Sequence, residues 1–166
     1  MEMSIPQLLD KIGAAAYNYE KTYHGCSQCV LAALQEHLQI GNKESFKAAS
    51  ALAGGVARMG EICGALLGGV MAIGLAYGRE RLEDGRVSPQ YAKAMELAAN
   101  LYRRFEGELG STRCWDIQEA SLGRSFDLKD PIQREEFVGA GGYEKCSEVA
   151  QKAAQLTTKV ILEAKN

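Results

Sequence analysis

The chain has 166 residues, enough for one domain with a sizeable core. Hydrophobic residues make up 46%, charged residues 24% and the net charge is −2, a globular composition that excludes extensive disorder. The near-neutral balance gives no electrostatic reason to expect a nucleic acid or an anionic membrane as partner. The first residues, MEMSIPQLLDK, lack the basic and apolar regions of a signal peptide, so a cytoplasmic location is expected. Helix one is predicted to open on a capping box of Ser4 and Gln7, with Leu8, Ile12, Ala16 and Tyr19 as its apolar face. Helix two opens near Gly25 and runs through CSQCVLAALQEHLQI to a stop at Gly41. Helix three is short, about 43–53. Helix four is the stretch EICGALLGGVMAIGLAYG, uncharged from Ile62 to Tyr77, and shorter than the roughly 20 apolar residues of a membrane span.

The segment GRERLEDGRV is polar and glycine-bounded, and is predicted to be a surface loop. Helix five takes Ser88 as N-cap and Pro89 as first residue, and its helical period places Tyr91, Met95, Ala98, Tyr102, Phe105 and Leu109 on one face. A shorter helix follows GSTRC, with Ser111 and Thr112 as candidate caps. Another opens at Asp130 and Pro131. The last helix spans about 143–165, with Val149, Ala153, Leu156 and Val160 on one side. No segment alternates with β-branched enrichment. The expected fold is therefore all-α: a single domain, residues 1–166, forming a bundle of six to eight helices around the glycine-rich helix four.

Helix four carries small residues at every fourth position: Gly60, Gly64, Gly68, Ala72 and Ala76. Each interior glycine costs roughly 1 kcal/mol against alanine in helix propensity, so close approach of a neighbour must offset it. Clasping by adjacent helices is the simplest neighbour. A cofactor or a second copy of the chain lying on Gly60, Gly64 and Gly68 is the functional alternative, which leaves a homo-oligomer open.

The five cysteines, Cys26, Cys29, Cys63, Cys114 and Cys146, are an odd number on a chain without an evident export signal, which argues against a disulfide framework. All five are predicted near helix N-termini, where unpaired N–H groups and the helix dipole favour a thiolate. If those helix starts converge, they form a thiolate-lined pocket. Cys26 and Cys29 form a lone CxxC, without the second pair of a zinc ribbon and without the following histidine of covalent haem attachment. His24 is a candidate ligand or base beside Cys26. Arg58, Arg113 and Lys145 lie close to cysteines in sequence and could stabilise thiolates, although solvation is the simpler role for each. No phosphate loop, dinucleotide fingerprint, HExxH or GxSxG pattern is present, so no nucleotide cofactor is expected.

The run ICGALLGG, with Cys63, Gly64, Ala65 and Gly68, preceded by GGVARMG, resembles the CGAxxG motif of the C_GCAxxG_C_C family of redox-active bacterial and archaeal proteins. The family's four cysteines correspond to Cys26 in GCSQCVL, Cys63, Cys114 in STRCWDI and Cys146 in KCSEVAQKAA. Cys29 departs from the pattern and is expected to be an accessory thiol, as His24 is an accessory residue. The resemblance implies redox or metal chemistry. Four thiolates suit a single Fe or Zn ion or an iron–sulfur cluster, serving electron transfer with a redox partner protein. The first alternative is a metal-free thiol/disulfide oxidoreductase with Cys63 and Cys26 carrying the chemistry. The second is a structural bundle whose cysteines are incidental.

Overall fold

A computed structural model describes residues 3–165; positions 1, 2 and 166 of the predicted domain lie outside it. The described residues form α1 (Ile5–Tyr23), α2 (Cys26–Leu38), α3 (Lys43–Ala48) continued by a 3-10 turn (Ala49–Leu52), α4 (Gly64–Tyr77), α5 (Pro89–Leu109), α6 (Cys114–Leu122), α7 (Pro131–Gly139) and α8 (Gly142–Glu163). The fold is all-α. Among the described residues the sole β pairing is an isolated antiparallel bridge between Ile62 and Arg113, and no helix is long and apolar enough to cross a membrane.

Local chemistry sets most helix starts. The Ser4–Gln7 capping box closes α1, Ser88 accepts from the Tyr91 N–H ahead of Pro89, and the Asp130 side chain accepts from the Ile132 N–H ahead of Pro131. Three boundaries differ from expectation. α2 ends at Leu38, three residues before Gly41, because Gln39 itself takes the left-handed cap at φ 57°. Arg113, not Ser111 or Thr112, is the N-cap of α6. α4 begins at Gly64, since residues 60–63 are drawn into the bridge to α6.

α4 lies in the middle, packed by α2, α5, α8 and the 3-10 turn. The long α8 completes the centre, touching α1, α2, α4 and α5 and, more lightly, α6 and α7. α1 and α8 share the most extensive contact, fastened at its surface by Glu144, which accepts from the Tyr17 hydroxyl and pairs with Lys21. The core is built from Ile12, Val30, Leu31, Leu34, Leu66, Ile73, Leu101, Phe105, Val160 and Ile161, with buried alanines among them.

The inward face of α5 is Leu97, Leu101 and Phe105, spaced i, i+4, i+8. Tyr91, Met95 and Tyr102, expected inside, are exposed at 39%, 56% and 39%. Both stripes have helical period. The purely aliphatic and phenyl one goes in, while Tyr102 keeps its hydroxyl at the rim, where it accepts from the Thr112 hydroxyl at 2.8 Å.

Close approach explains Gly64 and Gly68 of α4. A Cβ on Gly64 would stand 2.6 Å from the Cys26 sulfur and 2.9 Å from the Leu52 carbonyl oxygen; one on Gly68 would stand 2.5 Å from the Ser27 carbonyl oxygen. α2 therefore lies directly on the backbone of α4. Gly60 differs: it precedes the helix at φ 77°, with the Trp115 indole laid over its Cα.

Candidate functional site

Four helix starts meet at one end of the bundle. Cys26 is the first residue of α2, Cys63 the N-cap of α4, Cys114 the first residue of α6, and Cys146 lies one turn into α8. All four line a single cavity of about 120 Å³. The position of Cys63 beside Cys114 follows from the bridge. The Cys63 N–H donates to the Thr112 carbonyl at 2.8 Å, and the Cys114 N–H donates to the Glu61 carbonyl at 2.6 Å. Trp115 N–H to Gly60 carbonyl, at 3.1 Å, extends the clasp. The Cys26 sulfur occupies the space that Gly64 vacates.

The fourth wall is unusual backbone. Gly54, Gly55, Val56, Ala57 and Arg58 all have φ between 51° and 73°, a continuous left-handed turn. Its last three N–H groups are satisfied: Val56 donates to the Leu52 carbonyl at 3.1 Å, Ala57 to Ala51 at 2.8 Å and Arg58 to Ala53 at 3.1 Å, while the Glu61 N–H donates back to the Gly55 carbonyl at 3.0 Å. The turn reverses the chain tightly between the 3-10 turn and Cys63, and puts Gly54 and Arg58 on the cavity.

Burial dominates the electrostatics. It pushes the Cys63 thiol up to about 12, with the nearby Cys114 adding to the rise. It lifts Cys26 and Cys146 well above the ordinary thiol range and raises Cys114. Helix N-termini were expected to favour thiolates. The Ala65 and Leu66 N–H groups do face the Cys63 sulfur and oppose the shift, but without a cap hydrogen bond, and desolvation wins. Cys26 and Cys114 have similar partial help, from the Gly54 N–H and from the Gln118 amide, whose nitrogen lies 3.5 Å from the Cys114 sulfur. Gln118 is itself fixed by the Phe126 N–H, which donates to its oxygen at 2.9 Å. Among the described residues all five cysteines are free thiols, and no three histidine, cysteine, aspartate or glutamate side chains are placed to hold one metal ion between them.

Cys29 stands apart. It does not line the cavity; its thiol donates to the His24 carbonyl at 3.3 Å. His24, with φ 61°, caps α1, and its ring stacks on Tyr143 with centroids 3.6 Å apart at the cavity edge. Arg58 and Lys145 both reach the cavity, whereas Arg113 pairs with Glu61 at 3.3 Å and Asp116 at 3.8 Å. Gly60, Gly64 and Gly68 are covered by the protein's own atoms and do not line the cavity.

One cavity residue was missed in the sequence. Glu20 is 2% exposed, lines the cavity, and has its carboxyl raised to about 7 by burial. The available signal was the register Ile12, Ala16, Glu20, which continues the buried stripe of α1 by one turn with an acid. The stripe of the sequence reading ended on Tyr19, which is only half-buried and donates its hydroxyl to Glu36.

The sequence profile described as "Putative redox-active protein (C_GCAxxG_C_C)" matches residues 24–160. A protein of Archaeoglobus fulgidus called "Uncharacterized protein" is 32% identical over 149 residues, covering 84% of this chain and 86% of its own. No solved structure matches the chain. The cavity's four cysteines all fall inside the matched span, and the chain belongs to the C_GCAxxG_C_C family of redox-active proteins.

Proposed function

We propose that the protein holds an iron–sulfur cluster on Cys26, Cys63, Cys114 and Cys146 and passes electrons to a redox partner protein. The observation that supports this reading is the gathering of four thiols, from four helix starts, on one cavity of about 120 Å³. The donor set fits: soft thiolates suit iron–sulfur centres, and burial disfavours free thiolates until a cation replaces their protons. When bound, such a cluster supplies one-electron transfer at a potential set by burial and by hydrogen bonds to sulfur. The Gln118 amide and the Gly54, Ala65 and Leu66 N–H groups are the donors this chain offers. The mouth, where His24 stacks on Tyr143, is where a partner would approach. The odd set of cysteines suits the reducing cytoplasm.

The second reading, a metal-free dithiol couple of Cys26 and Cys63, is favoured by Gly64, whose missing side chain seats the Cys26 sulfur against the start of α4. One experiment separates the two. Anaerobically purified protein is analysed for iron, zinc and acid-labile sulfide, alongside Cys63→Ala. Iron and sulfide in the native protein and their loss in the variant support the cluster. Absent metal, with two thiols lost per two-electron oxidation, supports the dithiol.

A further inference from the structure

Glu20 presents a problem that the four cysteines do not solve. Its Oε2 is buried and has no hydrogen-bond partner among the described residues. No lysine, arginine or histidine among the described residues forms an ion pair with it. Its side chain lines the same cavity as the four thiols and acts electrostatically on Cys26, Cys63 and Cys146. A buried carboxylate without a partner is strongly unfavourable, and proteins that keep one supply a cation or a proton. The nearby Cys29 thiol donates to the His24 carbonyl, and burial leaves the Glu20 carboxyl raised.

We propose that Glu20 is an oxygen ligand to the metal centre, so that the cavity's donor set is four cysteines and one glutamate. This rests on the cluster reading above. The metal provides the positive partner that no protein side chain supplies, and the carboxylate adds one negative charge to a thiolate set. Iron accepts carboxylate oxygen as well as sulfur. Held there, Glu20 would give the centre a hard oxygen donor beside its soft sulfurs.

The test loads the native chain and Glu20→Gln anaerobically with ⁵⁷Fe and sulfide and records Mössbauer spectra. Glutamine keeps the shape and removes the charge. The native protein should show one iron subsite distinct from the rest. Glu20→Gln should lack it and should lose iron to a chelator about tenfold or more faster. Identical spectra and retention overturn the inference and leave Glu20 a protonated structural acid. X-ray absorption on the native protein decides independently of how the variant folds: a first shell containing oxygen supports the assignment, and a shell of sulfur alone overturns it. Cys63→Ala separates the two layers. If the native chain loads, Cys63→Ala does not, and Glu20→Gln matches native, only the Glu20 assignment falls. If the native chain takes up no iron, the cluster reading falls and takes this one with it.

Discussion

Gly64 and Gly74 sit in the same helix and should respond to alanine with opposite signs. Alanine gains up to about 1 kcal/mol over glycine in helix propensity at either position. At Gly74 nothing lies within 4 Å of the added Cβ, so Gly74→Ala should raise stability by roughly 0.5–1 kcal/mol. At Gly64 the Cβ meets the Cys26 sulfur, the Leu52 carbonyl and the Ala53 Cα, two of which are backbone atoms that cannot swing away. Gly64→Ala should therefore destabilise by about 1–3 kcal/mol, measured by urea unfolding. Glu20 gives a prediction in pH. Its carboxyl titrates near 4.5 unfolded and about 7 folded. Between those values the native state holds a proton that the unfolded state has released, so raising pH through this window lowers stability. The groups around it, Cys29, Cys26, Cys63 and Cys146, all have thiols shifted upward and so stay protonated there. The metal-free protein should lose on the order of 3 kcal/mol from pH 4.5 to 7, and Glu20→Gln should flatten that dependence. An unchanged pH profile in the variant would place the titration elsewhere.

Helices with a local start signal were readable from the sequence alone. Ser4 with Gln7, Ser88 with Pro89, and Asp130 with Pro131 each carry their cap within four residues. What could not be read is whatever depends on distant atoms. The period of α5 was read as one face through Tyr91, Met95 and Tyr102, whereas the buried one runs through Leu97, Leu101 and Phe105, a choice that lies with α4 and α8. The Ile62–Arg113 bridge joins segments 51 positions apart with no sequence mark. The left-handed turn was hidden for another reason: three of its five residues, Val56, Ala57 and Arg58, are types that avoid positive φ. Left-handed conformation costs roughly 1–2 kcal/mol per such residue. The turn's hydrogen bonds and its role in bringing Gly54 to Cys26 offset that strain. Ala57 is exposed, at φ 51°. Ala57→Gly should therefore stabilise the protein, by up to about 1 kcal/mol after glycine's larger unfolded-state entropy is deducted. A drop in the unfolding midpoint would show that the turn is not strained.

At the scale of the molecule, the cavity is a junction of elements held with unequal strength. α2, α4 and α8 pack on one another along their lengths, whereas α6 touches α8 only lightly and hangs on the bridge at Ile62–Arg113 and on the Gln118–Phe126 hydrogen bond. The placing of thiols at helix starts was visible in the sequence, because glycines and capping residues precede them. Their burial was not, which is why thiols expected to ionise are held protonated. A metal centre bound to Cys114 would tie the loosest helix to the three firmest ones. Binding that requires the folded arrangement stabilises it by mass action, about 2.7 kcal/mol at a hundredfold excess over Kd. For a domain of this size that corresponds to a rise in Tm of roughly 5–10 °C. Anaerobic loading with iron and sulfide should produce this rise in the native chain. Cys29→Ala should show it too, since Cys29 lies outside the cavity, while Cys146→Ala should not. Hydrogen exchange locates the effect. Amides of α6, the least supported of the four helices, should slow most on loading, and those of α4, already buried in the core, should change least. Equal slowing throughout would indicate general stabilisation without a tether at Cys114. No slowing in α6, with iron bound, would remove Cys114 from the ligand set.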